Sequence, residues 1–153
     1  MKLARQKDGL WQYHLAQNEA DVLVGLLKKF PFTKIDEVKI SKTDKHPKAR
    51  EREKLLNESL AEHRKELKKL AQALIRPDKF KRQEKGFLMT LSLEERETML
   101  QILNDIRVGS WHVLGEPEEL HSHAPQTDAK DLTYRSLIDL AGYFECALLE
   151  LED

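Results

Sequence analysis

The stretch from Pro47 to Ile75 constrains the fold more than any other. Its apolar residues fall at Leu56, Leu60, Leu67, Leu70 and Leu74, and His63 completes a spacing of four, three, four, three and four. Proline suits the first turn of a helix, and Pro77 lies just beyond the end. At ~1.5 Å per residue such a helix is roughly 40 Å long. A seam of about three heptads suits packing inside a helical bundle, and it equally suits pairing with a second copy of the chain. His63 in that seam either fixes register or sits at the edge of the core. If it faced a partner subunit, protonation near pH ~6 would weaken the contact.

The other elements follow from local signals. Asp8-Gly9 is a favoured hairpin turn because both residues tolerate positive φ, and Trp11, Tyr13 and Leu15 then alternate as a strand should. A helix is predicted from Asn18, read as its N-cap, with an apolar stripe of Val22, Leu23, Leu26, Leu27 and Phe30 and a stop at Pro31. Residues 33–47 read as irregular, with a short extended piece at VKI, and RPDKFKRQEKG reads as a basic loop. GFLMTLS reads as a strand that pairs with the hairpin. Ser92 with Glu95 forms a capping box that starts a helix at Leu93, and Gly115 ends it. A last helix, about Asp131 to Leu151, buries Leu137, Ile138, Ala141, Phe144, Leu148 and Leu151.

These elements predict one mainly α domain over residues 1–153. Four helices form a bundle-like body, with a small antiparallel β element from the N-terminal hairpin and the strand near 86–92. No apolar run is long enough to span a membrane, the N-terminus lacks the apolar core of a secretory signal, and one cysteine permits no internal disulfide. The expected setting is the cytoplasm. No glycine-rich phosphate loop is present, so no cofactor is expected.

A net charge of −1 conceals two blocks of opposite sign. Residues 28–85 hold 19 Lys or Arg against 10 Asp or Glu, and residues 86–153 hold 4 against 14. Such blocks neutralise each other within one fold or between subunits, or they present a basic face to an acidic partner. Lys68, Lys69, Lys79 and Arg82 are the expected contacts for an unknown protein partner. Nucleic-acid binding through the basic 47–85 segment is an alternative, weakened by the lack of helix-turn-helix spacing and by a single interleaved aromatic, Phe80.

The segment MLQILNDIRVGSWHVLG raises the functional question, because Asn104, Asp105 and Arg107 interrupt an otherwise apolar helix. Asn104 and Arg107 share a face with Leu100, Leu103, Trp111 and Leu114, while Asp105 falls on another flank and reads as the most exposed of the three. A buried arginine requires a carboxylate, and Asp139 and Glu145 are the candidates. The expectation is a structural clamp of Asn104, Asp105, Arg107 and Asp139, with no catalytic set.

LQILNDIRVGSWHVLG resembles the NDxR–LG segment of the bacterial domain-of-unknown-function family two thousand and seventeen. SLEERETMLQIL and DLTYRSLIDLAGYFECALLEL extend the likeness over residues 92–151. The resemblance implies a compact helical domain associated with regulation, with no assigned reaction and no catalytic residues to carry over. It also implies that the NDIR quartet defines the fold.

Two other groups stand as alternatives. His112, His121 and His123, with Glu118 and Glu119 nearby, offer imidazole and carboxylate ligands for a divalent metal, which would make the chain a metal-binding protein or metal-dependent enzyme. Cys146, in an apolar helix without neighbouring cations, reads as a buried, inert thiol.

Overall fold

The computed structural model of the protein describes residues 1–31, 47–118 and 129–150. Strands β1 (Lys2–Lys7) and β2 (Leu10–Leu15) lead into helix α1 (Gln17–Lys28). Helix α2 (Pro47–Leu74) is followed by a 3-10 turn (Pro77–Lys79), strand β3 (Phe80–Gln83), strand β4 (Gly86–Ser92), helix α3 (Leu93–Val113) and helix α4 (Ala129–Leu149).

The expected four-helix bundle with a small β element is corrected by the sheet. Among the described residues four antiparallel strands in the order β1-β2-β4-β3 form a full layer, and the protein is an α+β fold. The strand absent from the sequence reading is β3, which lies inside the segment taken for a basic loop. Its four residues, FKRQ, are too few and too polar to display an alternating pattern. Charge and brevity are how proteins blunt the edges of sheets, so this strand hides from a hydrophobic reading by its nature.

The hairpin turn forms as the sequence dictates, with Asp8 at φ 55° and Gly9 at φ 73°. β2 and β4 then pair in the centre, with Tyr13 opposite Met89 and Leu15 opposite Phe87. The second hairpin closes at Gly86, whose φ is 94°. A Cβ there would lie 2.1 Å from the Leu15 carbonyl oxygen, so glycine is obligatory twice over.

Helix ends follow capping chemistry. α1 begins at Ala16, not Asn18: the Ala16 N–H donates to Glu19 Oε1 at 2.9 Å, and Asn18 Oδ1 accepts from the Glu19 N–H at 3.0 Å. The Ser92–Glu95 box at the head of α3 is present in both directions, at 2.9 and 3.1 Å. At its foot Gly115 adopts φ 84°, and the N–H groups of Gly115 and Glu116 return to the carbonyls of His112 and Trp111.

The helices cover one face of the sheet. α3 is central, touching α1, α2, α4, β2 and β4. Tyr13, Leu15, Leu23, Met89, Leu91, Met99, Ile102, Leu103, Ile106, Phe144 and Leu148 are almost wholly excluded from solvent. α2 joins this core only near its C-terminal end, through Leu67, Ala71 and Leu74. Leu56, His63 and Leu70 of the heptad seam are exposed.

Candidate binding surfaces

The NDIR segment lies at the junction of three helices, but its side chains divide the work differently from the sequence reading. Asp105 is the least exposed of the three, at 24 %, and accepts from Arg64 Nη2 on α2 at 3.1 Å. Arg107 is a surface residue, 46 % exposed. It faces Glu145 of α4 at 3.6 Å and donates to Asn104 Oδ1 at 3.2 Å. Asn104 itself is exposed, as is Asp139, and the carboxylate turned toward Arg107 is Glu145. A helix presents a new side chain every ~100°, so a one-residue error in the inward direction exchanges Asp105 with its neighbours. Burial pushes the Glu145 carboxyl above its ordinary range, and the Arg107 charge offsets only part of that.

A stronger tie between elements comes from residues that carried no local signal. Arg96 Nε donates to the Leu148 carbonyl at 2.8 Å and to the Tyr13 hydroxyl at 3.1 Å, and Nη2 reaches the same carbonyl at 2.5 Å. The Tyr13 hydroxyl also donates to Leu148 O at 3.1 Å. Arg96 further stacks over the Trp11 ring, 5.3 Å from its centroid. This cluster anchors the last turn of α4 to the sheet. Nothing local in the sequence announces it, because Tyr13 and Arg96 lie 83 residues apart.

The basic residues, one block in the sequence, separate in space. Lys68 and Lys69 are exposed on α2. Lys79 turns inward and pairs with Glu95 in the capping box, so its charge is spent within the fold. Lys81 and Arg82 are exposed on β3, and Lys81 stands opposite Leu88 on the face of the sheet that the helices leave open.

That open face gathers cations from both ends of the sheet. Cross-strand partners share a face, so Lys2 opposite His14, Arg5 opposite Gln12 and Lys7 opposite Leu10 all point away from buried Tyr13 and Leu15. Gln12 Nε2 and Thr90 Oγ1, 3.4 Å apart, share that face. The four strands carry five Lys or Arg and no Asp or Glu. Arg5, Lys7, Leu10, Gln12 and the turn residue Asp8 line a depression of about 200 Å³ on this face. β1 precedes the Asp8-Gly9 turn and its register shifts between Leu3 and Arg5, so simple alternation in the sequence does not assign Lys2 and Arg5 to one face.

A second concavity, of about 390 Å³, lies between α1, the 3-10 turn and the second hairpin. Val24, Gly25, Ile75, Pro77, Phe80 and Phe87 supply its apolar lining, and Asp21 and Lys28 stand beside them. The Phe80 and Phe87 rings meet edge to face, 6.4 Å between centroids and 89° between planes.

The histidine reading rests largely outside the described residues, where His121, His123 and Glu119 fall. His112 is exposed and lies 2.6 Å from Glu116 through Nδ1. Among the described residues no group of three or more His, Cys, Asp or Glu is placed to hold a metal ion. Cys146 is exposed, not buried, because it sits on the outer side of α4 between Glu145 and the buried Ala147. No helix of the described residues is long and apolar enough to cross a membrane. Comparison of the chain with family models, with curated proteins and with solved structures finds no match in any of the three.

Proposed function

We propose that this chain is a non-enzymatic interaction domain of the bacterial cytoplasm, with a regulatory role, and that it presents the open face of its sheet to an acidic protein partner. One observation supports the reading: strands distant in sequence bring Lys2, Arg5, Lys7 and Lys81 to a single face that no described helix covers, and the strands contribute no carboxylate to it. An excess of cations on a surface steers an acidic partner and sets orientation more than it adds affinity. The outward strand positions carry Leu10, Leu88 and His14 but no Phe, Tyr or Trp, which disfavours base stacking by single-stranded nucleic acid.

The test is affinity capture from the source cell using wild type and Arg5→Glu/Lys7→Glu/Lys81→Glu, with circular dichroism to verify folding. The reading expects acidic proteins to be captured by wild type, to survive nuclease treatment and to be lost by the folded variant. Unchanged capture by the variant overturns it. A second variant, Lys68→Glu/Lys69→Glu, reports whether α2 contributes to the same contact.

A further inference from the structure

We propose that the free edge of β3 and the adjoining groove form a strand-addition site for an extended peptide that is acidic and carries one aromatic or branched aliphatic anchor. The inference rests on the reading of the chain as an interaction domain and names a partner chemistry for a second surface.

Three observations converge. Among the described residues β3 ends the sheet and β4 is its sole strand neighbour, so no described strand pairs with the other side of its backbone. In an antiparallel ladder every second residue turns its N–H and C=O away from its partner, and a bound peptide takes up those groups. Beside that edge lies the apolar groove. Phe80 of β3 lines it, and Arg82 stands opposite Phe87, on the side of the strand that faces the groove. A peptide laid along β3 sends alternate side chains to that side. At about 390 Å³ the groove is within the size range of ligand sites, roughly 300–1,000 Å³.

The third observation is Gly25. It lies inside α1, where glycine weakens a helix, and its φ is not in the left-handed region. A Cβ at that position would meet no atom within 4 Å. Among the described residues neither the backbone nor the packing requires glycine here, and the missing side chain leaves this part of the groove wall open. Charge then selects the occupant. Lys28 at the groove is balanced by Asp21, but along residues 76–85 Arg76, Lys81, Arg82 and Lys85 outnumber Asp78 and Glu84, with Lys79 paired to Glu95. An acidic peptide answers that balance; a basic one does not.

The experiment selects displayed random nonapeptides on immobilised full-length wild type and on Gly25→Leu, which fills the groove without altering charge. Wild type alone is expected to enrich acidic sequences with a central aromatic or aliphatic residue. In fluorescence anisotropy the best of these is expected to bind Gly25→Leu, and separately Arg82→Glu, at least tenfold more weakly than wild type. Methylation of alternate backbone nitrogens of the peptide is expected to cost a similar factor, because it removes strand pairing and leaves the side chains unchanged. Enrichment of no peptide, or of the same peptides on both proteins, overturns the proposal, as does indifference to backbone methylation. Light scattering that shows wild type dimeric and Gly25→Leu monomeric also overturns it, by assigning the edge to a second copy. Since Gly25→Leu leaves the open sheet face intact, these results are independent of the capture experiment with the Arg5/Lys7/Lys81 variant.

Discussion

Arg96 holds the carbonyl of Leu148 through two of its nitrogens, at 2.8 and 2.5 Å, so the head of α3 grips the tail of α4 across the end of the sheet. The last carbonyls of a helix have no partner within it, and here a buried-side guanidinium supplies one. Replacing Arg96 with Met preserves much of the bulk and removes the donors. The expected loss is about 2 kcal/mol in urea unfolding, the usual scale for hydrogen bonds from a charged group. Tyr13→Phe is expected to cost less, since Arg96 remains on the carbonyl.

Gly86→Ala places a Cβ 2.1 Å from Leu15 O at a φ of 94°. The hairpin has to open or β2 has to move. We expect destabilisation of about 3 kcal/mol or failure to accumulate as folded protein, read by thermal unfolding. Gly9→Ala, with open space around it, is expected to be milder.

The two perturbed carboxyls of the helix layer act in opposite directions with pH. Burial tends to raise Glu95, but hydrogen bonds from Lys79 and from Ser92 outweigh it and hold the carboxyl below its ordinary value of 4.5. The native state therefore binds fewer protons than the unfolded one. The stability from Glu95 is present above pH 4.5 and disappears as pH falls through the lower native value. Stability curves of wild type and Glu95→Gln are expected to separate above that range and converge in acid.

Glu145 has the reverse sign. Burial holds its carboxyl above the ordinary 4.5, despite Arg107. The native state keeps the proton longer, so stability from this group is greatest in acid and declines as pH rises through the native value. Glu145→Gln is expected to be neutral or stabilising at pH ~7 and to lose that advantage below the unfolded carboxyl range. Urea midpoints across pH measure it; a variant destabilised equally at every pH would contradict the assignment.

Within the NDIR segment the interhelical bond belongs to Asp105. A double-mutant cycle on Arg64 and Asp105 is expected to give a coupling of about 0.5–1 kcal/mol, the scale of a partly exposed pair. Asn104→Ala and Arg107→Ala, on the surface, are expected to change stability by less than about 0.5 kcal/mol.

Much of this architecture was legible because local chemistry announced it. Asp8-Gly9 fixed a turn, Ser92 with Glu95 fixed the start of α3, and Gly115 fixed its end, each through groups within a few residues of one another. The buried stripe of α4 was equally plain at Leu137, Ile138, Ala141, Phe144 and Leu148. What escaped depended on distance. β3 is too short and charged to declare itself, and its strand identity comes from β4 beside it. The inward angle of α3 depends on how α2 and α4 lean against it, which periodicity does not fix to one residue. Lys79 read as a free cation until the fold brought Glu95 to it. Arg5 and Lys81 share a surface only because two hairpins joined.

That joining has a temporal side. Leu10 pairs with Ser92 and Leu15 with Phe87, 82 and 72 residues apart along the chain, so the middle of the sheet is a long-range closure. The first hairpin is made before the second, so β2 waits for β4 to complete the middle of the sheet. Cutting the chain between the hairpins therefore yields no half-domain able to stand by itself, and the two pieces are expected to find order only when mixed.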